Sequence, residues 1–291
     1  MAERLNQIIA KLDRLPALPT TLMRVTSMLA DRSLELEALA GVVRSDEALS
    51  ALVLRAANSA TFGVPGREFD IQQSLARLGV RNIASLVLRH ESSSVLENAG
   101  ASYGLRRAAM SQAAIGGSAV AEMLAIESGF ESPELAYTCA LLRDIGKIGV
   151  DAMLAEQDPD HPFAAREPDT QFLQAERESL GFDHTQIGAA LAEHWDLPPR
   201  VANAIRFHHN PPAPDDPQHD DLFDLVHAGD IACLWAGLGI GYDGLAYDAA
   251  PHVTKKYLPT RTRAEELILV AVDATIEHTK QNQDQQTGAS A

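Results

Sequence analysis

From residue 20 onward the apolar residues recur every three or four positions and almost nowhere alternate. Leu36, Leu39, Val42 and Val43 form one such set, and Leu141, Leu142, Ile145 and Ile148 another. This spacing is helical, and it restricts the chain to packing helix on helix. Sustained period-two runs and Asn-Gly hairpin turns, which would announce strands, are missing, and aromatic residues are few. The expected fold class is all-α.

Local signals place the helices. Leu5, Ile8, Ile9 and Leu12 suggest a first helix, and a second is expected over Thr20–Ala30 after Pro16 and Pro19. Ser45 reads as an N-cap, with Asp46 and Glu47 in the first turn of a helix running to about Asn58. Gly63, Pro65 and Gly66 read as a loop. Asp70 with Gln73 reads as a capping-box start, and a helix resumes after Gly79. A long helix is expected from about Tyr103 to Ile126, with Gly116 and Gly117 marking a close helix–helix approach. Pro133 opens a helix carrying Leu141 to Ile148. Asp183 with Gln186 is a second capping box, opening a helix to Trp195. Further helices fit 198–209, 222–236 and 263–279. The Pro- and Asp-rich stretches 158–170 and 211–221 read as exposed loops, and the Gln-rich tail 281–291 as disordered. Gly237, Gly239, Gly241 and Gly244 match a GxGxxG pattern, but they follow a helix rather than a strand. They read as a C-cap and turn, not a nucleotide cradle.

The formal net charge is −16, and it is unevenly spread. Residues 1–100 hold 11 basic and 11 acidic residues, whereas 101–291 hold 13 and 29. This step suggests two regions with different surfaces, and overall acidity disfavours general nucleic-acid binding. Arg77, Arg81 and Arg89 could form a basic stripe, but interspersed acids favour a solvated face. Cys139 and Cys233 have no partner spacing for zinc or disulfides and read as buried small hydrophobes. No signal-peptide core starts the chain, and no apolar run looks long enough to span a membrane, so a cytoplasmic location is expected.

Chemistry concentrates in Arg143, Asp144, Lys147, His184, His208, His209 and Asp230. Asp144 and Lys147 share a helical face. Asp230 lies among apolar residues, where a carboxylate is costly unless paired. Singly, each has an ordinary account: histidines at a helix C-terminus suit the dipole, and an i,i+3 Asp-Lys pair is usually a weak surface bridge. Together, imidazoles and carboxylates from separate helices are what a metal site in a helical core would use.

Residues 137–148, YTCALLRDIGKI, resemble the helix carrying the His-Asp signature of HD-domain phosphohydrolases. Residues 181–209 and LVHAGDIA at 225–232 continue that likeness. The segments LPALPTTLMRVTSML, VVRSDEALSALVLRAANSATFGVPG and SLARLGVRNIASLVL resemble the HDOD family, the HD-related output domains of bacterial signalling proteins. The likeness covers roughly residues 10–240. It implies an N-terminal helical bundle over 1–100, packed on an HD-like helical region over 101–280 with the boundary near 98–103. It also suggests that Asn58 ties the two regions together.

The departures from that pattern bear on mechanism. The metal-binding His of the His-Asp pair is Arg143 here, and the place of an earlier His ligand falls near Met110. Of four core ligands only Asp144 and Asp230 remain, so neither a bound metal nor a cofactor is expected. Arg143, which cannot lose its charge, would replace the ion and pair with Asp144, Asp230 or both. The alternative is that Arg143 points to solvent and the site is vacant. The resemblance thus implies a non-enzymatic regulatory module that binds partner proteins. No receiver, cyclase or kinase region accompanies these motifs, so its input is expected from a partner. Two other readings stay open. One is a metal-dependent phosphohydrolase acting on a phosphoester or nucleotide, with a shifted site of Asp144, His184, His208, His209 and Asp230 and with Lys147 on phosphate. The other is nucleic-acid binding by the N-terminal helices.

Overall fold

The computed structural model describes residues 18–59, 63, 69–154, 172–242, 244 and 247–288, and these form helices with no strand among them. In chain order they are α1 (Thr20–Ala30), α2 (Leu36–Arg44), α3 (Glu47–Ala57), α4 (Ile71–Leu96), α5 (Ala109–Ser128), α6 (Pro133–Leu142), α7 (Gly146–Leu154), α8 (Phe172–Leu180), α9 (His184–His194), α10 (Pro199–Phe207), α11 (Asp221–Trp235), α12 (Pro251–Tyr257) and α13 (Arg261–Gly288). The helix expected at Leu5–Leu12 and the loop at 158–170 lie outside the described residues, as does most of the loop at Gly63–Gly66.

Several boundaries differ from the sequence expectation for local reasons. Asp46, not Ser45, caps α3: its carboxylate accepts from the Leu49 amide at 3.0 Å, while Ser45 closes α2. At Gly79 the expectation holds: its φ of 74° and ψ of 168°, open to glycine at little cost, break α4 into two segments, and a helix resumes after it. The long helix begins at Ala109 rather than near Tyr103. Before it, Ala101–Tyr103 form a 3₁₀ turn and Gly104 and Ala108 adopt positive φ. The Asp151 carboxylate fixes this turn by accepting from the amides of Gly100, Ala101 and Ser102. Helices α8 and α12 escaped the sequence reading, and the helix holding Leu141 to Ile148 is two, parted at 143–145. The final helix passes the expected end at 279 and continues to Gly288 instead of giving way to a disordered tail at Gln281. Gln and Lys are good helix formers, so a polar composition does not by itself end a helix.

Helix α5 is the hub, packed against α6, α11 and α13. It is 20 residues long with a mean hydropathy of 1.2, so by length and composition it could cross a membrane. Here it is mostly buried inside the protein. A Cβ on Gly229 of α11 would fall 2.4 Å from the Gly117 carbonyl oxygen of α5, so the paired glycines do mark a close approach. The N-terminal helices dock through α1 and α4 on α6 and through α4 on α5, and one continuous apolar core runs across both regions. Arg81 adds a 2.9 Å ion pair to Glu134 across that interface. Asn58 does not bridge the regions. Exposed at the end of α3, it donates to the Leu54 carbonyl and accepts from the Phe69 amide at 3.0 Å, both within the N-terminal bundle. Its short amide side chain is consumed by local turn bonds. Both cysteines are buried, and burial pushes the Cys233 thiol up to about 12.

Glu122 on α5 carries a pH signature. Burial first, and then the nearby Glu134 carboxylate, raise its pKa from 4.5 to about 7. Across that window the folded chain holds a proton that the unfolded chain has released, so this group lowers stability as pH rises. Glu122→Gln is expected to gain stability relative to the parent between pH 4.5 and about 7. Urea unfolding at several pH values checks this, and parallel curves for the two proteins would refute it.

Candidate functional site

The expected site residues converge in one buried cluster. Arg143 closes α6, Asp144 sits in the turn before α7, and Lys147 lies in the first turn of α7. His184 opens α9, held by the Asp183–Gln186 capping box. His208 and His209 end α10, and Asp230 lies mid-way along α11. All seven are buried, so neither a solvated histidine nor a surface Asp-Lys bridge describes them.

Arg143, only 1% exposed, organises one half of the cluster. Its Nε lies 2.8 Å from Asp230 Oδ1 and 3.4 Å from Asp144 Oδ2. Nη1 donates to the Ala140 carbonyl at 2.8 Å, and Nη2 to the Ala113 carbonyl at 3.3 Å. Gly117 makes room for it: a Cβ there would lie 2.7 Å from Nη1. Burial opposes all three charges, yet the mutual contacts prevail. Arg143 is held above its ordinary pKa by Asp230 and Asp144. Asp144 is held below its own by Lys147 and Arg143, and Asp230 by Arg143 and His209. Lys147 Nζ makes a 3.1 Å ion pair with Asp144 Oδ1.

The imidazoles form the other half. His184 Nδ1 lies 2.8 Å from Glu176 Oε2, and its Nε2 lies 3.1 Å from His209 Nε2. Burial disfavours a charged His184, but Glu176 overrides it and raises the pKa above 6.5. His208 and His209 go the other way, pushed down chiefly by burial. His208 Nδ1 donates to the Ile205 carbonyl at 2.7 Å, which leaves Nε2 without its proton in the neutral ring. His209 Nδ1 lies 3.2 Å from Asp230 Oδ2, and its ring stacks on Tyr247 with centroids 3.9 Å apart. Three cations (Arg143, Lys147 and a protonated His184) thus face three carboxylates (Asp144, Asp230 and Glu176).

Glu176, the buried acid that charges His184, was not singled out from the sequence, nor was Tyr103, whose hydroxyl donates to it. A signal existed: Glu176 is spaced three and four residues from Leu173 and Phe172, on the apolar face of α8. His227 was also missed. It donates from Nδ1 to the His208 carbonyl and accepts at Nε2 from the Ala250 amide, and burial lowers its pKa to about 4. A cavity of about 290 Å³ opens beside the cluster, lined by Leu173, His209, Asn210, Tyr247, Asp248 and His252 among others.

The family model for the HDOD domain matches residues 15–211. The chain belongs to the HDOD family. An uncharacterized protein of Treponema pallidum (strain Nichols) is 28% identical over 227 residues, or 72% of this chain, and the chain spans 40% of that relative's length. An HDOD domain protein of unknown function from Geobacter sulfurreducens has a crystal structure similar at TM-score 0.67, with 19% identity over 98% of this chain and 96% of that one. A candidate signal-transduction protein from Marinobacter aquaeolei VT8 matches at TM-score 0.68 and 23% identity, over 95% of this chain and 64% of that one. A candidate phosphohydrolase from Shewanella amazonensis SB2B matches at TM-score 0.59 and 23% identity, over 91% and 97%. These structures share the all-helical HDOD fold.

The metal position implied by the resemblance to HD-domain phosphohydrolases does not suit the residues this HDOD chain places there. Arg143 occupies the space between Asp144 and Asp230, and Met110, near which the resemblance put the earlier ligand, is packed in the apolar core. Beside it a different donor set converges. One atom each of Asp144, His184, His208 and His209 fall within 4.8 Å of one another, and His208 Nε2 makes no hydrogen bond among the described residues.

Proposed function

We propose that this HDOD chain is a non-enzymatic, cytoplasmic signalling module that acts through a protein partner, with the vestigial HD site as an internal structural support. One observation carries the reading: both carboxylates that would hold a metal are already neutralised by fixed cations, Asp230 by Arg143 and Asp144 by Arg143 and Lys147. An entering divalent ion would have to displace an ammonium from Asp144 and tolerate a guanidinium that cannot lose its charge. The resemblance to a candidate signal-transduction protein is consistent with this role.

A second reading, a metal-dependent phosphohydrolase, is favoured by the convergence of Asp144, His184, His208 and His209. In it these four residues would hold a divalent ion that polarises a phosphoester oxygen, and Lys147 would contact phosphate. Incubation with a generic phosphodiester and a phosphomonoester, with Mg²⁺ or Mn²⁺ added, separates the two. The proposed function predicts no turnover above that of the metal alone. Turnover that disappears in Asp144→Asn would favour the enzyme. Restoring only Arg143→His is expected to leave the protein inactive, since the earlier ligand would still be missing.

A further inference from the structure

A second cluster of metal-binding side chains lies outside the buried site. Asp224, near the start of α11, is 1% exposed, and both of its oxygens face imidazoles. His219 Nε2 is 3.2 Å from Oδ2, and His252 Nε2 is 3.0 Å from Oδ1. The three residues come from separate segments: the loop before α11, α11 itself, and the first turn of α12. The carboxylate is sunk in the protein while the two rings are partly exposed, so the cluster is anchored from below and open from above.

The spacing suits an ion. One ligand atom from each residue falls within 4.8 Å of the others. Ligands held at 2.0–2.2 Å from a metal lie about 2.8 Å apart in an octahedron and up to about 3.6 Å apart in a tetrahedron. The two imidazole–carboxylate contacts, each to a different oxygen of Asp224, fall inside that range. Two imidazole nitrogens with one carboxylate are the donor set of zinc-type ions, with a remaining position for water, whereas Mg²⁺ and Ca²⁺ favour oxygen throughout. Asp215 and Asp216 are exposed in the adjoining loop and add negative potential at the entrance.

We propose that His219, Asp224 and His252 bind one zinc-type divalent ion, which clamps the 211–220 loop and α12 onto α11. His252 also lines the cavity shared with His209 and Tyr247, so the ion would stiffen that rim. This proposal is independent of what the buried cluster does.

Hydrogen bonds alone could hold the same geometry, and a titration separates the two cases. Zn²⁺ is titrated calorimetrically into the full chain slightly above neutral pH, because a metal ion binds the unprotonated form of an imidazole. Co²⁺ is used in parallel as a visible probe. The expected result is one saturable equivalent, a cobalt spectrum with nitrogen–oxygen coordination, and a rise in Tm on adding zinc. His219→Ala and His252→Ala should each weaken binding by more than about 100-fold, beyond the loss typical of an outer-shell partner, and should abolish the Tm rise. Both changes fall on partly exposed rings, and circular dichroism confirms that the variants fold. Absence of saturable binding, or a stoichiometry that neither variant reduces, overturns the proposal. Binding lost only in Asp144→Asn also overturns it and assigns the ion to the buried cluster.

Discussion

Arg143→Ala is expected to lower the free energy of unfolding by roughly 3–5 kcal/mol. The truncation strands Asp230 and weakens the hold on Asp144 where water cannot compensate, and it leaves the Ala140 and Ala113 carbonyls short of a donor. The loss should depend on pH. In the parent, Asp230 is depressed below its ordinary 3.8, so its contribution is present above that value and fades as pH falls toward the folded pKa. In the variant Asp230 tends to keep a proton, and the folded state loses ground as pH rises above 3.8. The gap between the two proteins therefore widens from acid to neutral pH. Arg143→Leu combined with Asp230→Asn should recover part of the loss, because it removes the buried charge together with its partner. Urea unfolding of the three proteins at acidic and neutral pH measures this. A loss below about 1 kcal/mol for Arg143→Ala would mean that the ion pairs contribute little beyond surface bridges.

Gly146→Ala should be at least as damaging, for a steric reason. A Cβ at Gly146 would lie 1.8 Å from the His184 carbonyl oxygen and 2.7 Å from the Gly188 amide nitrogen. Both are backbone atoms of α9, so no rotamer change relieves the overlap and α7 must move away from α9. Overpacking of this kind is expected to cost more than about 3 kcal/mol. The displacement would also shift His184 against Glu176 and Asp144. The expected result is a large fall in the urea midpoint, or loss of soluble protein. A variant within about 1 kcal/mol of the parent would show that the α7–α9 contact is looser than described.

The architecture was readable where a local rule acts alone. The Asp183–Gln186 capping box opens α9 as expected, and Thr20–Ala30 has the expected limits, because apolar spacing and side-chain caps act within one or two turns. The site residues were readable through their resemblance to a family pattern, and of the two readings of Arg143 that its departure from that pattern left, the structure has the pairing with both carboxylates. What was missed depends on contacts distant in sequence. The break at 143–145 places Arg143 and Asp144 inside between two helices, and Gly146 just after it is the one sign of it in the local sequence. Glu176 gains its meaning only through His184, eight residues on, and Tyr103, seventy-three residues back. Residues 105–108 carry a helix-forming composition, but Gly104 precedes them at positive φ and three Asp151 hydrogen bonds pin the turn before it. Asn58, placed between regions on family likeness, spends its side chain on its own loop.

The central claim is that fixed cations, not a metal ion, neutralise the buried carboxylates. The most direct measurement is the divalent metal content of the His219→Ala/His252→Ala double variant, purified without chelators and dialysed against Mn²⁺, Fe²⁺ or Zn²⁺ before washing. That variant leaves the buried cluster intact and removes the outer ligands. The account predicts no stoichiometric metal in it. One retained equivalent, released by Asp144→Asn, would contradict the account and show that a metal ion displaces Lys147 from Asp144.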